Sequence, residues 1–347
     1  MTRPPLRTAL FGMGKVGAGY AMDPIMARHF PYASHAQVLR HHPAFHWLAV
    51  VEIAEDTLRW AREQWQIPCA VKSAEELSDL DIEVAVIATP PSERLSIVRH
   101  LPKLRAVLVE KPLGGSLAEA EAFMAECRRR NILVQVNYWR RADETFRGLA
   151  NGRLAQLLGK PQAVLGIYGN GLLNNGSHMV DFIRMLCGEM LHASATGPAE
   201  PTGPIPGDLL VPLHMTLSRG AFASLLPIRF SNYRENSLDI WGEKGRLSIF
   251  QEGLGISFHP IRSHRAQQDA MEVACDISEP LTATAGHAFY HLYSNLASAI
   301  WEKNELWSSG ESALQTERIV ARVYDSAGLE ERSTLIPPAP SVDVIDV

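Results

Sequence analysis

Cysteine is scarce. The chain has four in 347 residues, Cys69, Cys127, Cys187 and Cys275, and no CxxC pair. That spacing excludes a dense disulfide framework and a zinc knuckle, and it predicts buried thiols in a reducing cytoplasm. Long apolar runs are missing too. No stretch approaches the roughly 20 residues of a membrane-spanning helix. The amino-terminal "MTRPPLRTALFGMG" has an apolar run too short and too glycine-rich for a signal peptide, so a cytoplasmic location is expected. Positive charge is not in excess: 33 Lys and Arg against 38 Asp and Glu give a net charge of −5. The usual reason to expect nucleic acid or an anionic membrane as partner is therefore absent. Internal repeats and low-complexity tracts are lacking as well. What remains is ordinary globular composition, 46% apolar and 20% charged, over a length that supports two domains.

The first part of the chain alternates strand and helix. "LRTALFGMGKVG" reads as a strand, a glycine turn and a helix start. "FHWLAVVEI" is a second strand and "EDTLRWAREQW" the helix after it. "IEVAVIATP" and "RAVLVEKP" are near-continuous apolar runs of strand length, the pattern of strands buried on both faces of a parallel sheet. "SERLSIVRHLPKL" and "LAEAEAFMAECRRRN" are helical, and "ILVQVNY" closes the series. The pattern predicts an α/β doubly wound sheet over residues 1–137.

The rhythm then changes. "ADETFRGLANGRL" and "SHMVDFIRMLCG" are helical, with the strand "PQAVLGIYGNG" between them. From about residue 208 come "DLLVPLHMTL", "GAFASLLPIRF", "SLDIWG" and "GRLSIFQEG", separated by turns without helices. Such a series predicts a largely antiparallel sheet. "GPAEPTGPIPGD" is a Pro/Gly-rich loop. Two amphipathic helices follow near 285–303 and 310–327. These features predict a second α/β domain over 138–330 and a tail over 331–347.

Two stretches of the first part carry chemistry. Gly12-Met13-Gly14-Lys15-Val16-Gly17 is a G-x-G-x-x-G that follows a strand and opens a helix, the context dinucleotide binding requires. The glycines allow a tight turn, close approach of a pyrophosphate and close helix–strand packing, and the helix start favours negative charge. The bland alternative is a glycine-rich turn with no ligand. Glu52 ends the second strand, where an acid hydrogen-bonds the adenosine ribose and repels a 2′-phosphate. With Ile53, Ala54, Glu55 and Asp56 beside it and no cation among them, NAD is expected over NADP. The alternative for Glu52 is a solvated strand-end acid. The interval from Gly17 to Glu52 is 35 positions, against about 20 in the usual pattern. The surplus, "AGYAMDPIMARHFPYASHA", reads as an insertion early in the first helix.

"VLVEKPLGG" is the second stretch. A buried strand ends in Glu110-Lys111-Pro112, at the carboxyl edge where open α/β folds bind ligands. Lys111 is placed to polarise a carbonyl or hydroxyl oxygen; a surface Lys–Glu pair is the alternative. In the second part, "LLNNGSHMVD" (172–181) combines a glycine turn, His178 and Asp181. Locally it reads as turn residues Asn174 and Asn175, an N-cap at Ser177 and a helix beginning at His178. His178 and Asp181 are then i, i+3 neighbours. Asp181 either orients the imidazole or favours the helix start.

Taken in order, the Rossmann turn, "ATPPS", "EKP" and "NNGSHMVD" resemble the glucose–fructose oxidoreductase, inositol dehydrogenase and MocA family. "VNYWRR", "LDIWGEKGRL" and "WSSGESALQTERIVARVYDSA" are similar to that family's later segments. The resemblance implies an NAD(P)-binding Rossmann domain and a carboxy-terminal α/β domain whose open sheet mediates homodimers or homotetramers. It implies a dehydrogenase or reductase of carbinols and ketones on sugars, cyclitols or nucleotide-linked sugars. Lys111 matches the family's "EKP" lysine, which places the substrate hydroxyl. His178 matches its catalytic histidine; an imidazole titrates near neutrality and takes the hydroxyl proton while hydride leaves. The family's acid four residues earlier falls on Asn174, and the acid three residues later on Asp181. Ala88, Thr89, Pro90, Glu110, Lys111 and Asn137 join Gly12–Gly17, Glu52 and Ile53 as the implied cofactor set. Arg94 stands where many members have histidine.

His178 is favoured as the base because a helix start suits a positioned acid–base group. Asn174 holds the ring or binds substrate, but an amide does not stabilise imidazolium as a carboxylate does. Arg140 and Arg141 follow the last Rossmann strand and bind a substrate anion or form a salt bridge between domains. Tyr138, Tyr168 and Asn170 complete the expected substrate set. His287 and His291 are i, i+4 but have no evident third ligand, so no metal is expected. His41 and His42 read as a solvated helix end. The reading is an NAD-dependent oxidoreductase. Its rivals are an NAD-retaining lyase, epimerase or glycosidase using transient oxidation, and a cofactor-binding regulator without turnover.

Overall fold

The computed structural model describes residues 3–201 and 207–328. The chain divides into two compact units. Of the described residues, the first comprises those up to Ala142 together with Gly286–Leu314, and the second Asp143–Ala285 with 315–328. The expected tail over 331–347 lies outside the described residues.

The first unit is built on six parallel strands among the described residues. They are β1 Leu6–Phe11, β2 Phe45–Val51, β3 Cys69–Val71, β4 Val84–Ile87, β5 Ala106–Val109 and β6 Leu133–Val136. Their order is β3-β2-β1-β4-β5-β6, the doubly wound arrangement in which the chain reverses direction next to β1. Every residue of β4 and β5 is buried, which accounts for their uninterrupted apolar runs. Helices α1 His35–His41, α2 Glu55–Trp65, α3 Arg94–His100 and α4 Leu117–Arg129 complete the crossovers. In α4, Ser116 accepts from Glu119 N at 3.2 Å at one end and Arg128 and Arg129 occupy the last turn at the other, both favourable to the helix dipole.

The division expected at residue 137 falls at Ala142 instead, and the helix Ala288–Glu302 returns to the first unit. Its Phe289, Leu292, Tyr293 and Leu296 share one core with Leu6, Leu10, Phe45 and Trp47. An amphipathic pattern shows that a helix has an apolar face, not which sheet that face will cover.

The surplus before Glu52 is an insertion into the first helix, as the spacing predicts. After the turn at Gly12–Gly17 the chain leaves in two short 3₁₀ turns, Gly19–Met22 and Met26–Arg28. It re-enters at Ser34, which caps α1 in a capping box with Gln37. The ladder continues across the gap: His35 N donates to Val16 O at 3.0 Å and Ala36 N to Gly17 O at 2.9 Å. His42 is no solvated end. It is 6% exposed, its Nε2 lies 2.9 Å from Ser294 Oγ, and burial lowers its pKa to about 4. The thiols also depart in part from expectation: Cys127 and Cys187 are buried, but Cys275 is exposed.

The second unit has a nine-stranded sheet among the described residues. Along its path lie Met271–Val273, Gly255–Ser263, Gly245–Phe250, Ser237–Gly242, Pro161–Tyr168, Phe222–Pro227, Leu213–Leu217 and Met190–Ala195. Glu279–Pro280 pairs with the second of these. All pairs are antiparallel except Pro161–Tyr168 with Phe222–Pro227, which bears out the largely antiparallel expectation. Leu213, Met215, Leu217, Ala223, Leu225, Leu238 and Ile240 point into a core that also takes Met179, Phe182, Ile183 and Leu186 of the helix Ser177–Cys187. The alternation follows from the period of two along a strand. No described helix is long and apolar enough to cross a membrane.

Candidate active site

In the first unit the cofactor candidates collect at the carboxyl ends of the parallel strands. The glycine turn follows β1, Glu52 follows β2, Ala88-Thr89-Pro90 follows β4, Glu110-Lys111 follows β5 and Asn137 follows β6. Gly12 has φ +87, and a Cβ there would come within 3.0 Å of the Ala88 carbonyl. A Cβ on Gly17 would lie 2.3 Å from Gly12 O, whereas one on Gly14 would meet nothing within 4 Å. The first and third glycines are therefore required by packing, and the second leaves open space at the helix start. Thr89 Oγ1 is buried beside this turn without a hydrogen-bond partner among the described residues. An open glycine, an orphaned hydroxyl and a strand-end acid fit a dinucleotide with its pyrophosphate at the turn.

Glu52 grips the turn directly. Its Oε2 accepts from Met13 N at 2.9 Å and its Oε1 from Ala54 N at 3.1 Å. Ile53 beside it is 80% exposed. The structure also brings in a cation that the residues after Glu52 do not reveal. Lys72 follows β3, in register with the end of β2, and pairs with Glu55 at 2.6 Å.

Glu110 faces inward. His35 Nε2 lies 3.0 Å from Glu110 Oε1, and His35 Nδ1 lies 2.7 Å from Tyr293 Oη. Asn137 Nδ2 donates to the same Glu110 oxygen at 2.6 Å. Burial pushes the Glu110 carboxyl up, but the His35 hydrogen bond and charge, Asn137 and the nearby Lys111 outweigh it, and the net shift is downward. An ionised carboxylate only accepts, so the imidazole directs Nε2–H to Glu110, and the Tyr293 hydroxyl is the polar partner of Nδ1. Burial raises the Tyr293 hydroxyl well above its ordinary value, which keeps it protonated. Four elements thus meet behind Lys111, which is half-buried. Arg94, 1% exposed, donates through Nη1 to the carbonyl of Pro112, so this arginine fastens the turn that carries the lysine.

Of the expected substrate residues in this unit, Tyr138 is buried at 2% exposure in the core. Arg140 is 6% exposed with its guanidinium 4.5 Å from the Trp139 ring, and Arg141 is half-buried. His287 and His291 stack with ring centroids 6.3 Å apart. Among the described residues no three His, Cys, Asp or Glu side chains are grouped to hold a metal.

In the second unit, the helix Ser177–Cys187 is preceded by a wider helical turn, Leu172–Gly176. Ser177 is not the cap that the local pattern predicts. Its hydroxyl donates back to Leu173 O at 2.8 Å and Asn174 O at 2.9 Å, because the chain is already helical before it. His178, the second residue of the helix, is half-buried. Asp181 is 1% exposed; it accepts from Thr316 Oγ1 at 3.1 Å and lies 3.6 Å from Arg184 Nη1. Arg184 also pairs with Glu189 at 2.8 Å. Tyr168, expected at the substrate, is fully buried, and its hydroxyl is taken by Val211 O at 2.7 Å and Val211 N at 2.8 Å. The strand pattern fixes alternation but not which face is the core. Asn170 has φ +57 and is half-buried.

A family model for Gfo/Idh/MocA oxidoreductases, with an NAD-binding Rossmann fold, matches residues 6–138. Over that stretch the chain is similar to the Gfo/Idh/MocA family. Over 160 residues it is 36% identical to trans-1,2-dihydrobenzene-1,2-diol dehydrogenase of Oryctolagus cuniculus, covering 40% of this chain and 49% of that protein. Over 200 residues it is 22% identical to myo-inositol 2-dehydrogenase of Thermotoga maritima, covering 53% of this chain and 55% of that one. These matches span about half the length of the relatives. An oxidoreductase from Agrobacterium radiobacter, solved in complex with NAD+, L-tartaric acid and magnesium, shares the fold. The TM-score is 0.71 at 17% identity, covering 93% of this chain and 96% of that one.

Three residues escaped the sequence reading. His35 lies inside the insertion, 75 positions from Glu110. Arg94 stood out only as a departure from the family pattern. Asp208 ends the Pro/Gly-rich loop and carries no motif. The capping-box spacing of Ser34 and Gln37 was the one local signal that a helix restarts at His35.

Proposed function

We propose that the protein is an NAD-dependent oxidoreductase that moves hydride between the nicotinamide and a carbinol or ketone of a sugar, cyclitol or nucleotide-linked sugar. The observation that carries this reading is the carboxyl edge of the first sheet. Open Gly14, orphaned Thr89, Glu52 and Lys111 all emerge there from buried parallel strands. The bound dinucleotide supplies the hydride acceptor or donor. Gly12–Gly17, Thr89 and Pro90 would hold its phosphates and ribose. Glu52 disfavours a 2′-phosphate by charge. The Lys111 ammonium donates to the substrate oxygen and favours its negative charge, and His178 takes or returns the hydroxyl proton. Relatives named for a dihydrodiol and for inositol support a substrate with neighbouring hydroxyl groups.

The second unit supports a homo-oligomer. On the sheet face away from its core, Phe222 is 57% and Leu226 41% exposed; Phe222 is in register with exposed Ala163 and Leu226 with half-buried Ile167. We propose that a second copy covers this face. The experiment for the catalytic reading is calorimetric titration with NADH, followed by a spectrophotometric screen of polyols, nucleotide sugars and trans-dihydrodiols. NADH binding with NAD-linked oxidation of one class supports the reading. No cofactor binding, or substrate conversion without net NADH in favour of a redox-neutral product, overturns it.

A further inference from the structure

The turn that leads to His178 is held by a carboxylate from elsewhere in the chain. Asp208 is 1% exposed. Its Oδ1 accepts from Leu173 N at 2.9 Å and from Leu209 N at 2.8 Å, and its Oδ2 accepts from Asn174 N at 3.0 Å. Tyr324 Oη donates to Oδ1 at 3.2 Å. Helical turns begin with N–H groups that have no partner within the turn, and an acidic side chain satisfies them best. Here the cap is not the preceding residue but one 35 positions away. The site is shaped for it: Gly171 has φ +91, and a Cβ there would lie 2.0 Å from Asp208 Oδ2.

The same residues are tied forward to the histidine. The carbonyls of Leu173 and Asn174, whose N–H groups Asp208 receives, accept the Ser177 hydroxyl next to His178. Behind Asp208, Tyr168 holds Val211 by both its N–H and its carbonyl. Burial holds the Asp208 carboxyl above its ordinary value, and the three backbone N–H groups and Tyr324 offset that only in part. Tyr324, itself raised by burial, remains a donor.

We propose that Asp208 is a positioning residue for His178, fixing the Leu172–Gly176 turn through the backbone N–H groups of Leu173 and Asn174. This rests on the reading of His178 as the acid–base group. Asp208 touches no reacting atom and acts through the turn alone.

The test is Asp208→Asn in the full chain. An amide keeps one acceptor but turns a donor toward Asn174 N–H, so the variant keeps shape and loses that bond. Two readouts are taken below the unfolding midpoint of each protein: amide hydrogen exchange, and turnover on the substrate found in the screen. Exchange at Asn174 should rise about ten- to a hundredfold, the size of a hydrogen bond to a charged acceptor, and exchange at Leu173, which keeps a neutral acceptor, should rise less. Exchange at Ile183, inside the helix, should stay as in wild type. kcat should fall by a similar factor while NADH affinity is unchanged. Unchanged exchange at Leu173 and Asn174 overturns the proposal. So does faster exchange there with wild-type kcat. A general loss of protection and of NADH binding makes Asp208 a stability residue only, which also overturns it. Tyr324→Phe removes one donor and leaves the backbone bonds, so it should move both readouts less than Asp208→Asn. Wild-type turnover in His178→Ala refutes the acid–base reading instead, and it leaves the exchange rates at Leu173 and Asn174 as they were.

Discussion

Replacing His35 by phenylalanine isolates the interaction behind Lys111. The ring keeps nearly the same shape, and both of its polar contacts disappear. Glu110 loses a donor to a charged oxygen, worth about 1.5–3 kcal/mol, and Tyr293 loses a hydrogen-bond partner worth about 1 kcal/mol. The expected loss is roughly 2.5–4 kcal/mol, because His35 is fully buried and water does not replace it. For a unit of this size that lowers Tm by roughly 5–15 °C.

The pH dependence identifies the source. Glu110 is held below the ordinary carboxylate range, so folding favours its ionised form. Its contribution is complete above the unfolded value of about 4.3 and is lost as pH falls through the lower folded value. Without His35, burial is opposed by Asn137 and Lys111 alone, and the carboxyl moves up. The stability gap between wild type and variant should be widest near neutrality and narrow in acid. Urea unfolding from pH 3 to pH 8, with a double-mutant cycle through Glu110→Gln, measures both effects. A gap that is constant or grows in acid, or effects of His35→Phe and Glu110→Gln that simply add, refutes the reasoning.

Other outcomes follow from the same geometry. Wild type should bind NAD(H) more tightly than NADP(H) in calorimetry, and Glu52→Ser with Ile53→Arg should narrow the difference; a clear wild-type preference for NADP(H) would count against the role given to Glu52. Lys111→Ala and His178→Ala should each lower kcat strongly, His178→Ala by about 10²–10⁴-fold, with NADH affinity little changed in the same titrations. Asn174→Asp places a carboxylate one helical turn before His178, which favours a charged imidazole, so the acidic limb of the kcat/KM profile for oxidation should move to higher pH. Asp181→Asn is the control: its carboxylate already serves Thr316 and Arg184, so it should lower Tm more than it moves the limb.

Much of the first unit was readable because its signals are local. Continuous apolar runs marked β4 and β5, and three glycines at fixed offsets marked the turn after β1. The excess spacing before Glu52 located an insertion at the right place in the first helix. Residues joined across long intervals were not readable. His35 meets Glu110, and Asp208 meets Leu173, through the fold alone, and neither pair has a periodicity or spacing to betray it. Tyr168 was misjudged because alternation along a strand leaves the inner face unnamed. The helix Ala288–Glu302 was assigned with its neighbours in sequence, whereas its apolar face belongs to the first core. The NAD argument from residues 53–56 also missed Lys72, which sequence distance hides and strand register brings back.

The break in the first helix has a consequence for how this chain can vary. The bonds from His35 to Val16 and from Ala36 to Gly17 each span 19 positions, where an uninterrupted helix spans four. The ladder therefore keeps its phase as though about fifteen residues had been spliced in between two neighbouring turns. The excursion is held at its ends, at Gly17 and Ser34, and again where Tyr32 packs against Tyr290 with ring centroids 4.8 Å apart. Its first residues stay with the glycine turn, since Gly19 N and Tyr20 N donate to Gly14 O and Lys15 O. Tolerance to new sequence is therefore expected between those anchors, where Met22 and Ile25 are exposed. The chain can vary there without re-phasing the helix that begins at its glycine turn.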